Sequence, residues 1–161
     1  MSHNASSPAE KEFMTWEQID ARLAQLLQGY TQRGKWNLTQ ISLHLNDWLR
    51  FPMEGFPRPP FFMRLLVPVI RLTMAKKVLR EILSQGFDDN IPTMPQTVHQ
   101  RDEASEREAV DRLRQSIRQF RDHTGPVHPS TFFGKLDKAT TEKLQLRHFE
   151  HHLKFLVPTG P

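Results

Sequence analysis

The chain has 161 residues, of which 37% are hydrophobic and 25% charged, enough to bury one core. It contains no cysteine, which excludes disulfides, thiolate ligands and a cysteine nucleophile, so any metal site must be built from nitrogen and oxygen donors. Lys and Arg outnumber Asp and Glu by 22 to 18 but are scattered among the acids rather than gathered with aromatics, so no nucleic-acid partner is expected.

Residues 1–12 are polar, lack the apolar core of a signal peptide and read as a disordered lead-in to a single domain over 13–158, consistent with a cytoplasmic protein. Thr15-Trp-Glu-Gln18 has the form of a capping box. Trp16, Ile19, Leu23, Leu26, Leu27 and Tyr30 follow at helical spacing, which predicts a first helix to about residue 30. Gly34 separates it from a second, opened by Asn37 or Thr39 and ending near Phe51 and Pro52. In that helix Leu38, Ile41, Leu45, Trp48 and Leu49 form the apolar arc and His44 lies at its edge. A proline-rich bend leads to a third helix over 61–84, kinked at Pro68 and stopped by Gly86. Its greasy stretch, 61–74, contains Arg64 and Arg71 and is too short to span a bilayer, so no membrane partner is expected. A linker over 86–101 precedes a fourth helix over 102–122, in which Val110, Leu113, Ile117 and Phe120 make a narrow stripe. After a loop over 123–136 comes the last helix, capped by Asp137 or Thr140 and closed by Pro158. No strand pattern competes, and there is neither a Gly-rich phosphate loop nor a nucleophile elbow.

The chemistry concentrates in the last helix. His148 and His152 are four residues apart, about 40° around the helix, in the arc of Leu144, Phe149, Leu153, Phe155 and Leu156, so both imidazoles should point inward. Two buried imidazoles must each be satisfied, and a divalent metal does this for both. His44 is the best third donor because it lies in a helix beside an apolar arc, although taken alone it reads as a satisfied core histidine. His151 falls at the polar margin and reads as a rim residue, with a His148/His151 pair the permitted alternative. His3, His99 and His123 fall in loop or lead-in segments and read as solvent-exposed, while His128, before Pro129, shapes the entry to the last helix or reaches the site mouth. Glu150 projects away from His152, and Asp47 shares the His44 side of its helix, where it could orient that ring. Arg50 and Lys154 are candidate cations at the mouth.

With Ile41-Ser-Leu-His-Leu45 and the H-x-x-H-H run of the last helix in place, the chain resembles the DinB/YfiT-like superfamily of metal-binding helical bundles. Gly55-Phe-Pro57, Gly86-Phe87 and His128-Pro-Ser-Thr-Phe-Phe-Gly134 make most of residues 15–157 similar to a DinB-related family of unknown function. The resemblance implies an all-α four-helix bundle with a long crossover. It also implies a divalent Ni or Zn held by His44, His148 and His152, a small-molecule substrate and a homodimer. A metal so held makes the expected activity a hydrolase or a thiol-dependent transferase; thiol-transferring members often continue the motif with Arg-Gly-Gln, and Leu153-Lys154-Phe155 in its place counts against the transferase. The alternative is a non-catalytic dimeric scaffold.

Overall fold

The computed structural model describes residues 12–89 and 91–160, so the expected lead-in falls, but for Glu12, outside the described residues. The chain is mostly helical. Helices α1 (Trp16–Leu26) and α2 (Leu38–Glu54) are followed by α3 (Phe61–Thr73) and α4 (Ala75–Gln85). A short 3-10 turn, Pro95–Thr97, then leads to α5 (Glu106–Asp122) and α6 (Lys138–Leu153). Two three-residue strands, β1 (Tyr30–Gln32) and β2 (Leu156–Pro158), pair antiparallel, with Tyr30 opposite Pro158 and Gln32 opposite Leu156. Among the described residues no helix is long and apolar enough to cross a membrane.

The helix starts follow capping chemistry. Thr15 with Gln18, Asn37 with Gln40, and Ser105 with Glu108 each exchange reciprocal side-chain to backbone bonds, and the Asp137 carboxylate accepts from the Thr140 amide. These settle the two open alternatives in favour of Asn37 and Asp137. The fourth predicted helix begins at Glu106 rather than near 102, because Ser105 satisfies the free amides of its first turn.

Three expectations are corrected. The first helix stops at Leu26, because Gly29 at φ +141° turns the chain and Tyr30 enters the strand pair, which is too short to show an alternating pattern. The second helix runs through the buried Pro52 to Glu54 and ends at Gly55, whose φ of +109° suits glycine. The third is two helices. Pro68 is accommodated inside α3, and the break comes at Met74, just after Thr73, whose hydroxyl donates to the Val69 carbonyl at 2.7 Å. Such back-bonding pulls at the helical ladder and favours a bend.

The core draws Ile19, Leu23 and Leu26 from α1, and Ile41, Leu45 and Leu49 from α2. Val110, Leu113, Ile117 and Phe120 come from α5, and Phe149 and Leu153 from α6. Each fully buried large side chain contributes about 1.5–3 kcal/mol over its exposed state. Helix α2 lies along α5 and against α6, so its apolar arc is enclosed on two sides. Trp16 ties α1 to α6, packing edge-on against Phe149 and donating its indole N–H to Glu142 at 2.6 Å. This packing fixes the α2–α6 seam, where the histidines meet.

Candidate metal centre

His44 projects from α2, and His148 and His152 from successive turns of α6, into one cluster. His44 is buried; His148 and His152 keep intermediate exposure as whole residues while their ring nitrogens lie inside. Their potential ligand atoms lie within 4.8 Å of one another, close enough to hold a metal ion. His148 Nε2 lies 3.1 Å from His44 Nε2 and 3.0 Å from His152 Nε2. The i,i+4 pair, not the His148/His151 alternative, is the one that converges with His44.

The proton inventory is informative. His44 Nδ1 is 3.0 Å from the Thr97 carbonyl, which can only accept, so in the neutral ring the proton sits on Nδ1 and the Nε2 lone pair faces the cluster. A neutral imidazole has one N–H. His148 Nε2 meets two neighbouring Nε2 atoms, and one directed N–H···N bond leaves the other close contact without one. A cation accepts all three lone pairs together. Metal–nitrogen bonds of about 2.0–2.1 Å place cis ligand nitrogens roughly 2.9–3.4 Å apart, which brackets the two short separations here.

The electrostatics favour the ligand state. Burial, with only the Thr97 carbonyl opposing it appreciably, brings the His44 pKa down to about 4. Burial and the neighbouring His44, His151 and Lys154 charges bring His152 to about 2. Burial, then His152 and His44, hold His148 well below the ordinary range. All three are neutral at pH 7, as metal ligation requires.

Aromatic rings wall the site. Trp36 stacks on His152 at 5.6 Å and 9° and lies 5.0 Å from the His44 ring. Trp48 and Phe87 approach His148 at 5.5 and 5.2 Å. A Gln145 amide N–H donates to the Trp48 carbonyl at 2.9 Å, holding α6 against α2 one turn from His148.

The remaining site expectations divide. Glu150 faces away from the cluster as read, accepting from the Met14 amide at 2.7 Å and from Arg147 at 2.9 Å. Asp47 does not orient His44: its carboxylate accepts from His99 Nε2 at 2.7 Å, and Thr97 supplies the acceptor for His44. His99 is correspondingly not a solvent-exposed loop residue but is half-buried between Asp47 and Glu103, the latter 3.1 Å from Nδ1. Burial opposes its charge, but the two carboxylates outweigh burial and raise its pKa. His151 is not at a polar margin. Its ring is half-buried, 4.8 Å from that of His152 and against Phe155, with Nδ1 lacking a hydrogen bond and Asp89 at 3.6 Å. His128 is exposed, and its backbone amide donates to the Pro52 carbonyl, fixing the loop beside the end of α2. His123 is half-exposed, 3.3 Å from the Pro126 carbonyl, and His3 lies outside the described residues. Arg50 pairs with Glu54 and Lys154 with Asp89. Phe87 belongs to the Gly86-Phe87 pair that carries the family resemblance, whereas Thr97 and Trp36 have no part in the sequence reading. A backbone acceptor such as the Thr97 carbonyl leaves no side-chain signature, whereas Trp36, just before the Asn37 cap, was within reach of the hydrophobic-staple pattern.

Residues 5–159 match the family described as "Protein of unknown function (DUF1569)". The chain belongs to this family. No curated protein and no solved structure matches it. The match takes in every residue of the histidine cluster and its walls, so the DUF1569 sequence region and the candidate centre coincide.

Proposed function

We propose that this DUF1569 chain is a metal-dependent enzyme, a hydrolase or thiol-dependent transferase, built on a four-helix bundle of DinB/YfiT-like type whose long crossover is the 86–105 connection. His44, His148 and His152 would hold a divalent Zn or Ni. The observation that carries the reading is the convergence of three Nε2 atoms, that of His148 between those of His44 and His152, with His44 committed by Thr97 to present its lone pair. Such a cation supplies Lewis-acid activation of a water or a thiol toward an electrophile.

The surrounding residues would orient and exclude. Thr97 holds the His44 ring by its distal N–H, the usual outer support of a ligating imidazole. Trp36, Trp48 and Phe87 limit water around the rings and offer apolar contact to a substrate. His151 is a further imidazole beside the triad, with a free Nδ1 and Asp89 behind it, suited to hold or pass a proton.

Elemental analysis of the purified full chain after metal-replete preparation tests the reading. We expect about one Zn or Ni per chain, lost on His152→Ala. The metal-loaded protein should then hydrolyse simple esters or amides, or join small thiols to electrophiles. A non-catalytic scaffold is the second reading, favoured by the engagement of Glu150 with Arg147 and Met14, which leaves no carboxylate base at the cluster among the contacts described. Absence of bound metal after that preparation would favour it instead.

A further inference from the structure

Helix α3 carries an apolar face that nothing in the described chain covers. Phe61, Leu65, Val69 and Leu72 lie within about 80° of arc at 3.6 residues per turn, and Phe61, Leu65 and Leu72 are 80%, 75% and 88% exposed. Leu66 extends the patch. The opposite side of the helix is the inward one: Val67 is buried and Ile70 partly so. The exposed face is therefore not the docking side of the helix left over by chance; α3 is apolar on both sides.

Charge selects the occupant. Between Glu54 and Glu81 the chain has six cations, Arg58, Arg64, Arg71, Lys76, Lys77 and Arg80, and no acid. All six are exposed. Arg71 uses its guanidinium on the uncharged Ser130 and Thr131 carbonyls, and Lys77 has Glu81 at 3.8 Å, so a single acid just past the segment faces one of the six among the described contacts. Two copies joined symmetrically through α3 would bring these cations together without acids to pair them. An anionic lipid surface accepts both properties: the apolar stripe enters the headgroup boundary and the cations remain among phosphates. At 13 residues the helix is too short to cross and suits an orientation along the surface.

We infer that the α3 face, with the cations of α3 and α4, docks this protein onto an anionic membrane surface. The sequence expectation of no membrane partner rested on the length needed to span a bilayer, which surface association does not require. The inference is independent of the metal centre.

Flotation of the full chain with vesicles of about one-third phosphatidylglycerol in phosphatidylcholine tests it, against vesicles of phosphatidylcholine alone. We expect partition onto the anionic vesicles, at least about tenfold weaker with the neutral lipid and weakened again by added salt. Leu65→Glu with Leu72→Glu should lower partition at least about tenfold while leaving thermal unfolding unchanged, since both side chains are exposed. Lys76→Gln with Lys77→Gln should remove part of the salt-sensitive component alone. Equal partition onto both vesicle types, or none, overturns the inference. So does a concentration-dependent dimer in sedimentation that the Leu65/Leu72 variant dissociates while the wild type ignores vesicles, which would assign the face to a second copy.

Discussion

Helix α2 supports two histidine environments of opposite character, three residues apart. His44 meets two other imidazoles and a carbonyl, with no carboxylate in contact among the described residues, and is held neutral by burial. Asp47, on the next turn, meets His99 between two carboxylates, which favour its charged form. The two are joined in a ring: His44 to Thr97, two residues along the chain to His99, and back to Asp47. The comparison separates what a histidine is from where it is. The same side chain becomes a lone-pair donor or a ring biased toward its charged form according to whether a carboxylate reaches it, and here the carboxylate-bound ring of His99 sits two residues from the carbonyl that aligns the donor.

The sharpest way to break the contrast is to remove the central imidazole. His148→Ala deletes the only ring whose Nε2 lies close to both others. Metal content should fall from near one per chain to under about one-tenth after dialysis, as measured by elemental analysis. Retention of stoichiometric metal would place the centre elsewhere.

Acid titration of the metal-free chain comes next. Below the ordinary imidazole pKa of 6.5 the unfolded chain binds protons that the folded triad refuses, so stability falls as pH drops through the window from 6.5 to about 4 for His44. Each imidazole kept neutral contributes a slope of about 1.4 kcal/mol per pH unit there. His99 has the opposite sign. Its raised pKa makes its contribution fully present below 6.5 and lost as pH rises through the folded value. Denaturant unfolding across this range should therefore show a stability maximum near neutrality. A profile flat between pH 6.5 and 4.5 would contradict the buried neutral triad.

Asp47→Asn sharpens the comparison by touching only the charged half. It leaves His44, His148 and His152 in place but removes the shorter of the carboxylate contacts to His99. We expect about 1 kcal/mol of destabilisation at pH 6, shrinking as pH rises, because the pair is only partly screened. Loosening of the Thr97 carbonyl should weaken metal binding by about tenfold, read by chelator competition. Unchanged affinity would mean that His99 does not brace the ligand.

Legibility in the sequence followed the range of the interactions. Periodicity and caps located α1, α2, α5 and α6 and the buried stripe Val110, Leu113, Ile117 and Phe120, because those signals are local. The i,i+4 spacing marked His148 and His152, and the apolar arc marked His44, since a helix face is fixed by sequence alone. What escaped depends on partners distant in the chain. The β1–β2 pair joins residue 30 to residue 158 in three-residue strands, and His99 meets Asp47 across 52 residues. The break at Met74 was missed for a different reason: Pro68 is the louder local signal, yet it sits at an exposed position where water can serve the freed carbonyl.

The smallest effect expected is at Arg50, and it tests how far surface charge reaches into the centre. Its guanidinium forms a bidentate pair with Glu54 at 2.9 Å, and the two side chains are 47% and 52% exposed. Exposed pairs one helical turn apart contribute about 0.3–0.5 kcal/mol, so Arg50→Gln should change stability by no more than about 0.5 kcal/mol. The triad is set by buried rings and one carbonyl, none of which Arg50 touches among its described contacts. Metal affinity should therefore stay within about twofold, and any small change should vanish at about 1 M salt, where the screening length is about 3 Å. A salt-resistant loss of metal would show that Arg50 acts on the cluster through structure rather than through its field, and would extend the brace from the Thr97–His99 segment to the far end of α2.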